Sequence, residues 1–365
     1  MSKKRVAIIG AGGILHSHID AIREHDERVE LVGIVDIDEE RIQTVCQEHN
    51  IPNGYTSTTQ LLSETKPDLV HIITPPATHK DLTIECLEAD AWVYCEKPLC
   101  GSLAQFDEIA AAEARTGSYV STVFQWRFGS AGKHLKKLMQ AETFGHPLVA
   151  VCNTLWYRPQ SYYDVPWRGK YETEFGGPTV TLGIHLMDFL LWLMGDWAEV
   201  RGMIGTLDRK IEVEDVSMAQ VRFENDAMAS IVNSALSPKQ DSYLRLDFEQ
   251  ATLEMQSLYH YSNENWTIST HPQLENDTLL EAWTQLAENF RGSHTRQLSE
   301  ILDSMETDSP PPVQGDEARR IVEFLTSLYK SAFTGEIVKR GSITSDDPFY
   351  YTMNGVYPVL NGKES

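Results

Sequence analysis

The hydrophobic positions change their period part-way along the chain. Over the first third, short continuous apolar runs at 5–9, 29–35, 69–74, 92–95 and 119–124 alternate with stretches at 14–23, 58–64, 79–89 and 103–114, where apolar residues recur every three or four positions. Continuous apolar runs of this length read as strands buried on both faces, and the longer spacing reads as helices packed along one side. Strands alternating with helices predict a doubly wound parallel sheet, because parallel strands are joined by right-handed helical crossovers. Ligands of such sheets bind at the carboxyl ends of the strands. Further on, strand-like runs at 148–157, 200–207, 213–223, 227–236, 244–248 and 251–256 follow one another closely. An apolar helix is expected over 180–194, and a helix over 316–333 leads to a short strand near Ile337.

A length of 365 residues fits two domains. The change of pattern places the boundary at 1–125 and 126–365. The chain is 41% hydrophobic and 23% charged, an ordinary globular composition that predicts a sizeable core. Its formal charge of -22 would repel a phosphate backbone, which argues against nucleic acid and anionic membrane as partners. The five cysteines are scattered without a Cys-x-x-Cys pair, so no disulfide framework and no metal site is expected. With only four apolar residues between the basic start and the first glycine, and no long oily stretch, a soluble cytoplasmic protein is expected.

The first strand runs into Gly10-Ala11-Gly12-Gly13-Ile14. Gly10 permits a tight bend, and Gly12 lets backbone amides approach a pyrophosphate at the start of the next helix. Leu15 stands where the dinucleotide fingerprint has its third glycine. Asp36, closing the second strand and followed by Ile37, is placed to accept hydrogen bonds from adenosine ribose hydroxyls and to repel a 2'-phosphate, which favours NAD over NADP. Arg41 either stacks on adenine, pairs with a phosphate, or is a solvated helix residue. Thr74-Pro75-Pro76 leaves its strand at the same edge, and His79 follows as a cofactor contact or a helix-start cap. Glu96-Lys97-Pro98 ends another strand. A lysine placed beside a cationic nicotinamide can have its pKa lowered into a range useful for proton transfer.

In this order, with Gln125-Trp126-Arg127-Phe128 and Gly176-Gly177-Pro178-Thr179-Val180-Thr181-Leu182-Gly183-Ile184-His185-Leu186-Met187-Asp188 further on, these motifs resemble the glucose-fructose oxidoreductase, inositol dehydrogenase and rhizopine-catabolism (Gfo/Idh/MocA) oxidoreductases over nearly the whole chain. The resemblance implies an N-terminal Rossmann domain and a C-terminal α+β domain with an open, mostly antiparallel sheet, which assembles a homodimer or homotetramer. It also implies transfer of a hydride between NAD(P) and a secondary alcohol of a sugar, cyclitol or sugar derivative. Lys97, His185 and Thr181 are then the catalytic candidates. Thr181 stands where many members carry an aspartate, and a threonine cannot hold an imidazolium by charge, which shifts proton transfer toward Lys97. Asp188 is expected to fix packing.

Six aromatics and three cations fill the sixteen residues from Trp156 to Tyr171. Aromatic faces stack on sugars and Arg forks bind hydroxyls or anions, so this stretch is expected to cover the cofactor and substrate or else to pack as an interface loop. The expected cofactor contacts are Gly10, Gly12, Gly13, Ile14, Asp36, Ile37, Arg41, Thr74, Pro75, His79, Glu96, Lys97, Gln125, Trp167 and Arg168. The expected substrate contacts are Lys97, Arg127, Tyr157, Arg158, Tyr163, Thr181 and His185. Two alternatives stay open: redox-neutral glycoside cleavage through transient oxidation with tightly held NAD, and a non-catalytic nucleotide-responsive regulator.

Overall fold

A computed structural model describes residues 2–273 and 277–356. The chain divides into two compact units, residues 1–123 with 294–319, and residues 124–293 with 320–365.

The first unit contains β1 (Lys4–Ile9), α1 (Leu15–Glu24), β2 (Val29–Val35), α2 (Glu39–His49), β3 (Gly54–Tyr55), α3 (Thr58–Thr65), β4 (Leu69–Ile72), α4 (His79–Glu88), β5 (Trp92–Cys95), α5 (Leu103–Thr116) and β6 (Val120–Thr122). Its six strands pair in parallel in the order β3-β2-β1-β4-β5-β6, the doubly wound arrangement expected from the alternating pattern. Val6, Ala7 and Ile8 of the central strand are fully buried, because helices cover both faces of such a sheet.

The second unit contains α6 (Ser130–Gln140), β7 (Pro147–Tyr157), α7 (Tyr171–Glu174), α8 (Pro178–Thr181), α9 (Ile184–Met194), β8 (Trp197–Gly205), β9 (Val216–Phe223), β10 (Met228–Ser234), β11 (Leu236–Phe248), β12 (Ala251–Ser257), β13 (Trp266–Thr270) and α10 (Asp277–Thr284). After α11 (His294–Thr307), α12 (Gly315–Thr334) leads to β14 (Val338–Lys339). The sheet of eight strands runs β13-β12-β11-β7-β10-β9-β8-β14, and every pair is antiparallel except β7 with β10. Burial alternates strictly along β9, as it does where one face of a sheet packs on a core and the other does not.

Three expectations need correction. The domain boundary placed everything after residue 125 in the second domain, yet α11 belongs to the first unit. Leu298, Ile301 and Leu302 share one stripe of α11 and join the core formed by Val6, Ile8, Ile19 and Ile22. The buried Gln297 amide also donates to the Thr122 carbonyl oxygen at 2.6 Å. The helix expected over 180–194 is two helices, α8 and α9, separated at Leu182-Gly183. A Cβ on Gly183 would fall 2.0 Å from Asn233 Oδ1, so only glycine fits the break. The strand expected at 213–223 begins at Val216, because Glu214 and Asp215 turn inward to accept backbone amides instead of extending the ladder. Among the described residues, no single helix is long and apolar enough to cross a membrane.

Candidate functional site

In a parallel sheet all strands deliver their carboxyl ends to one edge, with neighbours about 4.8 Å apart. The order β2-β1-β4-β5 therefore lines up Asp36, the Gly10–Gly13 turn, Thr74-Pro75 and Glu96-Lys97 in that sequence along the edge. Gly10 has φ +104°, and a Cβ there would lie 3.1 Å from the Ile73 carbonyl group, so the bend needs glycine. At Gly12 and Gly13 nothing stands within 4 Å of a Cβ position, which leaves the backbone of the turn open to a ligand. No side chain caps the start of α1. Leu15, in the third-glycine position, is buried in the core.

Asp36 is held at the turn by its own fold. Its Oδ2 accepts the Ala11 N–H at 2.7 Å and its Oδ1 accepts the Asp38 N–H at 3.0 Å. Arg41 turns back onto two carboxylates, lying 3.6 Å from Asp36 Oδ1 and 3.2 Å from Asp38 Oδ2. Ile37, next to Asp36, is 97% exposed, an apolar surface that a flat heterocycle would cover. An open glycine turn, a carboxylate one strand away and an uncovered apolar side chain fit a dinucleotide.

Several expected contacts do other work. His79 is fully buried, and its ring nitrogens face the Pro98 carbonyl at 2.7 Å and the Thr74 carbonyl at 2.8 Å. It therefore ties the Thr74-Pro75 loop to the Lys97-Pro98 turn, whose peptide bond is cis, with both ring nitrogens engaged. Burial lowers its pKa, with the two carbonyl hydrogen bonds opposing. Glu96 is 9% exposed and its carboxylate points into the unit, where His18 and His294 hydrogen-bond Oε1 at 3.2 and 2.9 Å. These two histidines, with His71 behind them, escaped the sequence reading because they are far apart in the chain and belong to no motif.

In the second unit, Arg127 was expected to bind substrate but is buried against Asp188. Its Nε lies 2.7 Å from Oδ2 and its Nη2 2.5 Å from Oδ1. Phe124 sits between this pair and the half-buried His185, with the Arg127 guanidinium 5.9 Å from its ring and the His185 ring 6.4 Å away. Thr181 Oγ1 donates to the Gly177 carbonyl at 3.0 Å, and the break at Gly183 means that Thr181 and His185 do not share one continuous helix face. The turn before α8 is pinned by buried Glu214, which accepts from the Gly177 N–H, the Thr179 N–H and hydroxyl, and the Tyr329 hydroxyl. Gln125 carries a buried amide oxygen with no hydrogen-bond partner.

The aromatic and cationic stretch folds on itself. The Arg168 guanidinium lies 3.9 Å from the Tyr162 ring centroid and 4.3 Å from that of Trp167, and it pairs with Glu174 at 3.1 Å. Arg158 covers Trp156 and Tyr162 at 5.2 and 5.4 Å, and Arg209 covers Tyr157 at 5.3 Å. Tyr163 is largely buried, which raises its hydroxyl pKa. Tyr157 stays 42% exposed. Of these guanidiniums, Arg168 is met by Glu174 and the buried Arg209 by Asp208, so the loop neutralises part of its own charge.

Residues 4–124 match the oxidoreductase family described as having an NAD-binding Rossmann fold, and residues 133–254 match the GFO/IDH/MocA C-terminal domain. Myo-inositol 2-dehydrogenase of Thermotoga maritima is 24% identical over 335 residues, covering 86% of this chain and 92% of its own. D-glucoside 3-dehydrogenase of Escherichia coli is 24% identical over 363 residues, covering 93% and 98%. The crystal structure of the WlbA dehydrogenase from Chromobacterium violaceum, in complex with NADH and UDP-GlcNAcA, superposes with a TM-score of 0.82 at 28% identity, over 94% of this chain and 97% of that one.

Proposed function

Because the chain belongs to the GFO/IDH/MocA oxidoreductase family, we propose that it is an NAD-dependent dehydrogenase acting on a secondary alcohol of a sugar, cyclitol or sugar derivative. The observation that carries this reading is the order of residues along the edge of the first sheet. Asp36, an open glycine turn and Lys97 stand in succession at the ends of β2, β1 and β5. Bound there, the nicotinamide supplies the hydride acceptor. The chain's own contribution is proton transfer, and Lys97 is assigned as the group that takes the hydroxyl proton. His185 is assigned the second hydrogen bond to the substrate. Thr181, already bonded to the Gly177 carbonyl, supports the turn before α9.

NAD is favoured over NADP because Asp36 is fixed as an acceptor on the glycine turn, while Arg41, the nearby cation, is drawn to Asp36 and Asp38. Arg158, stacked on Trp156 and Tyr162, favours a substrate that carries an anionic group beside the sugar. The WlbA dehydrogenase is similar in fold and holds such a molecule, UDP-GlcNAcA. The outward face of the second sheet presents Val149, Met203, Met218 and Met228, apolar side chains that a homodimer or homotetramer would cover. The five cysteines are free thiols and four are buried, which suits a reducing cytoplasm.

The test is incubation with NAD and with NADP, separately, against inositols, aldoses, sugar phosphates, nucleotide sugars and glycosides, following absorbance at 340 nm alongside product mass. One NADH formed per sugar oxidised is the expected result. Glycoside cleaved at flat absorbance replaces it with the redox-neutral route, and nucleotide binding without turnover replaces it with a regulator. Lys97→Ala is expected to abolish turnover while retaining NAD binding, and near-normal turnover in that variant refutes the assignment of the base.

A further inference from the structure

Three histidines from distant parts of the chain meet behind the Glu96-Lys97-Pro98 turn. His18 comes from α1, His71 from β4, and His294 opens α11; the first two are fully buried and His294 is 8% exposed. Their contacts form one continuous chain. His71 Nδ1 lies 2.9 Å from His18 Nδ1, and His18 Nε2 lies 3.2 Å from Glu96 Oε1. His294 Nε2 reaches the same oxygen at 2.9 Å, while Glu96 Oε2 accepts the backbone N–H of Lys97 at 3.3 Å.

The positions of the protons follow from counting donors and acceptors. An ionised carboxylate only accepts, so both imidazoles must present Nε2–H to Glu96. Burial lowers the His18 pKa to about 4, with the Glu96 hydrogen bond opposing, so this ring is neutral at pH 7 and its Nδ1 is a lone pair. His71 must then donate from Nδ1. Its Nε2 is left as an acceptor without a hydrogen-bond partner, a lesser cost than an orphaned donor inside the same core. Burial alone would push the Glu96 pKa up, but the hydrogen bonds from His18 and His294 outweigh it and hold the carboxyl well below its usual range. The array thus runs from His71 to His18 to Glu96, with His294 closing it from the other side.

We propose that His18 and His294 are positioning residues, two imidazole donors that hold the Glu96 carboxylate on the Lys97 amide and so set the turn from which Lys97 acts. Glu96 would otherwise be a carboxylate with two oxygens to satisfy, one residue before the proposed base. With Oε1 taken by two imidazoles, Oε2 remains for the Lys97 backbone, which leaves the turn one arrangement. The ligand-type atoms of His18, Glu96 and His294 all lie within 4.8 Å of one another, a spacing a metal ion would also accept. The hydrogen-bonded array accounts for these contacts with protons alone.

This inference rests on Lys97 being the base. Two measurements on the full chain test it. Imidazole nitrogen NMR of the wild-type protein between pH 6 and 9 should find His18 and His294 protonated at Nε2 and His71 at Nδ1, with His18 and His71 keeping those tautomers throughout. Kinetics should then separate His294→Phe, which removes the donor, from His294→Gln, which keeps one. The Phe variant is expected to lose roughly 10- to 100-fold in kcat while its Kd for NAD changes less than about threefold, the effect of misplacing a reacting group rather than losing a ligand. The Gln variant should recover most of that loss. Opposite tautomers, one bound metal ion per chain by elemental analysis, unchanged kcat in the Phe variant, or equal losses in both variants would each overturn the proposal. Should the Phe variant fail to fold, the wild-type tautomers and metal content still decide. A Lys97→Ala enzyme with normal turnover would instead overturn the assigned base, so the two failures are distinct.

Discussion

Arg127 and Asp188 offer a direct test of how the second unit holds α9 in place. The two side chains are 3% and 1% exposed and share two charge-assisted hydrogen bonds. Arg127→Met keeps the length of the side chain and removes its charge, leaving the buried Asp188 carboxyl without the Arg127 guanidinium. Breaking a buried pair from one side costs about 3–5 kcal/mol, because the remaining charge is desolvated and uncompensated. In a unit of this size each kcal/mol moves the melting midpoint by about 2–4 °C, so its transition should fall by roughly 6–20 °C. Arg127→Met with Asp188→Leu removes both charges, and such replacements are often neutral. That double variant should return to within about 2 kcal/mol of wild type, the residue being imperfect packing.

Scanning calorimetry and urea unfolding of the two variants read this out. A single variant within about 1 kcal/mol of wild type, or a double variant as costly as the single, refutes the buried-pair account. Kinetics of the double variant settle the older expectation that Arg127 binds substrate. A stable double variant whose KM for the sugar is unchanged assigns Arg127 to structure, and a KM raised tenfold or more at intact stability returns it to the substrate site.

Gly183→Ala places a Cβ 2.0 Å from Asn233 Oδ1, and the overpacking should cost about 1–3 kcal/mol in urea unfolding; a neutral result would mean the α8–α9 break absorbs it freely. Asp36→Ala removes the acceptor for the Ala11 and Asp38 amides together with the charge facing a 2'-phosphate. Calorimetric titration should show the NAD Kd rising by roughly tenfold and the NADP-to-NAD preference moving toward NADP, and an unchanged ratio would remove Asp36 from cofactor selection. Burial raises the Glu113 pKa to about 7, with its hydrogen bond from the Val120 N–H opposing. The folded state then holds this proton longer than the unfolded state. Stability contributed here is present below pH 4.5 and is lost as pH rises to about 7, by about 2–3 kcal/mol. Glu113→Gln should flatten that part of the stability profile, and an identical slope in wild type and variant rules out Glu113 as its source.

The parts of the fold that could be read from sequence are those where burial imposes a local period. The strands of the first sheet are covered on both faces and appear as unbroken apolar runs, so five of the six were found; the missing one, β3, is only two residues long. The stripe Leu298, Ile301 and Leu302 makes α11 helical, but amphipathic period does not say which unit a helix packs against. The α8–α9 break was hidden for the opposite reason. Nine of the eleven residues of α9 are buried, and a segment apolar on every side has no polar face whose interruption would mark a bend.

The candidate site divides along the same physical line. A parallel sheet converts chain order into spatial order, since each strand end is a short turn whose residues are adjacent in sequence. Gly10, Asp36, Thr74 and Lys97 could therefore be placed along the edge from motifs alone. What supports those turns is made by side chains that meet only after folding: His294 reaches Glu96 across 198 residues and Asp188 reaches Arg127 across 61. No periodicity or spacing encodes such partners, and a buried Arg and a substrate-binding Arg look the same in a string of letters. The unforeseen Asp188 partner of Arg127 and the omission of His18, His71 and His294 have that one cause. It also explains why the strongest local motif, Glu96-Lys97-Pro98, was assigned correctly as a turn but incompletely as chemistry: Lys97 is set by its strand, whereas Glu96 is set by histidines the motif does not contain.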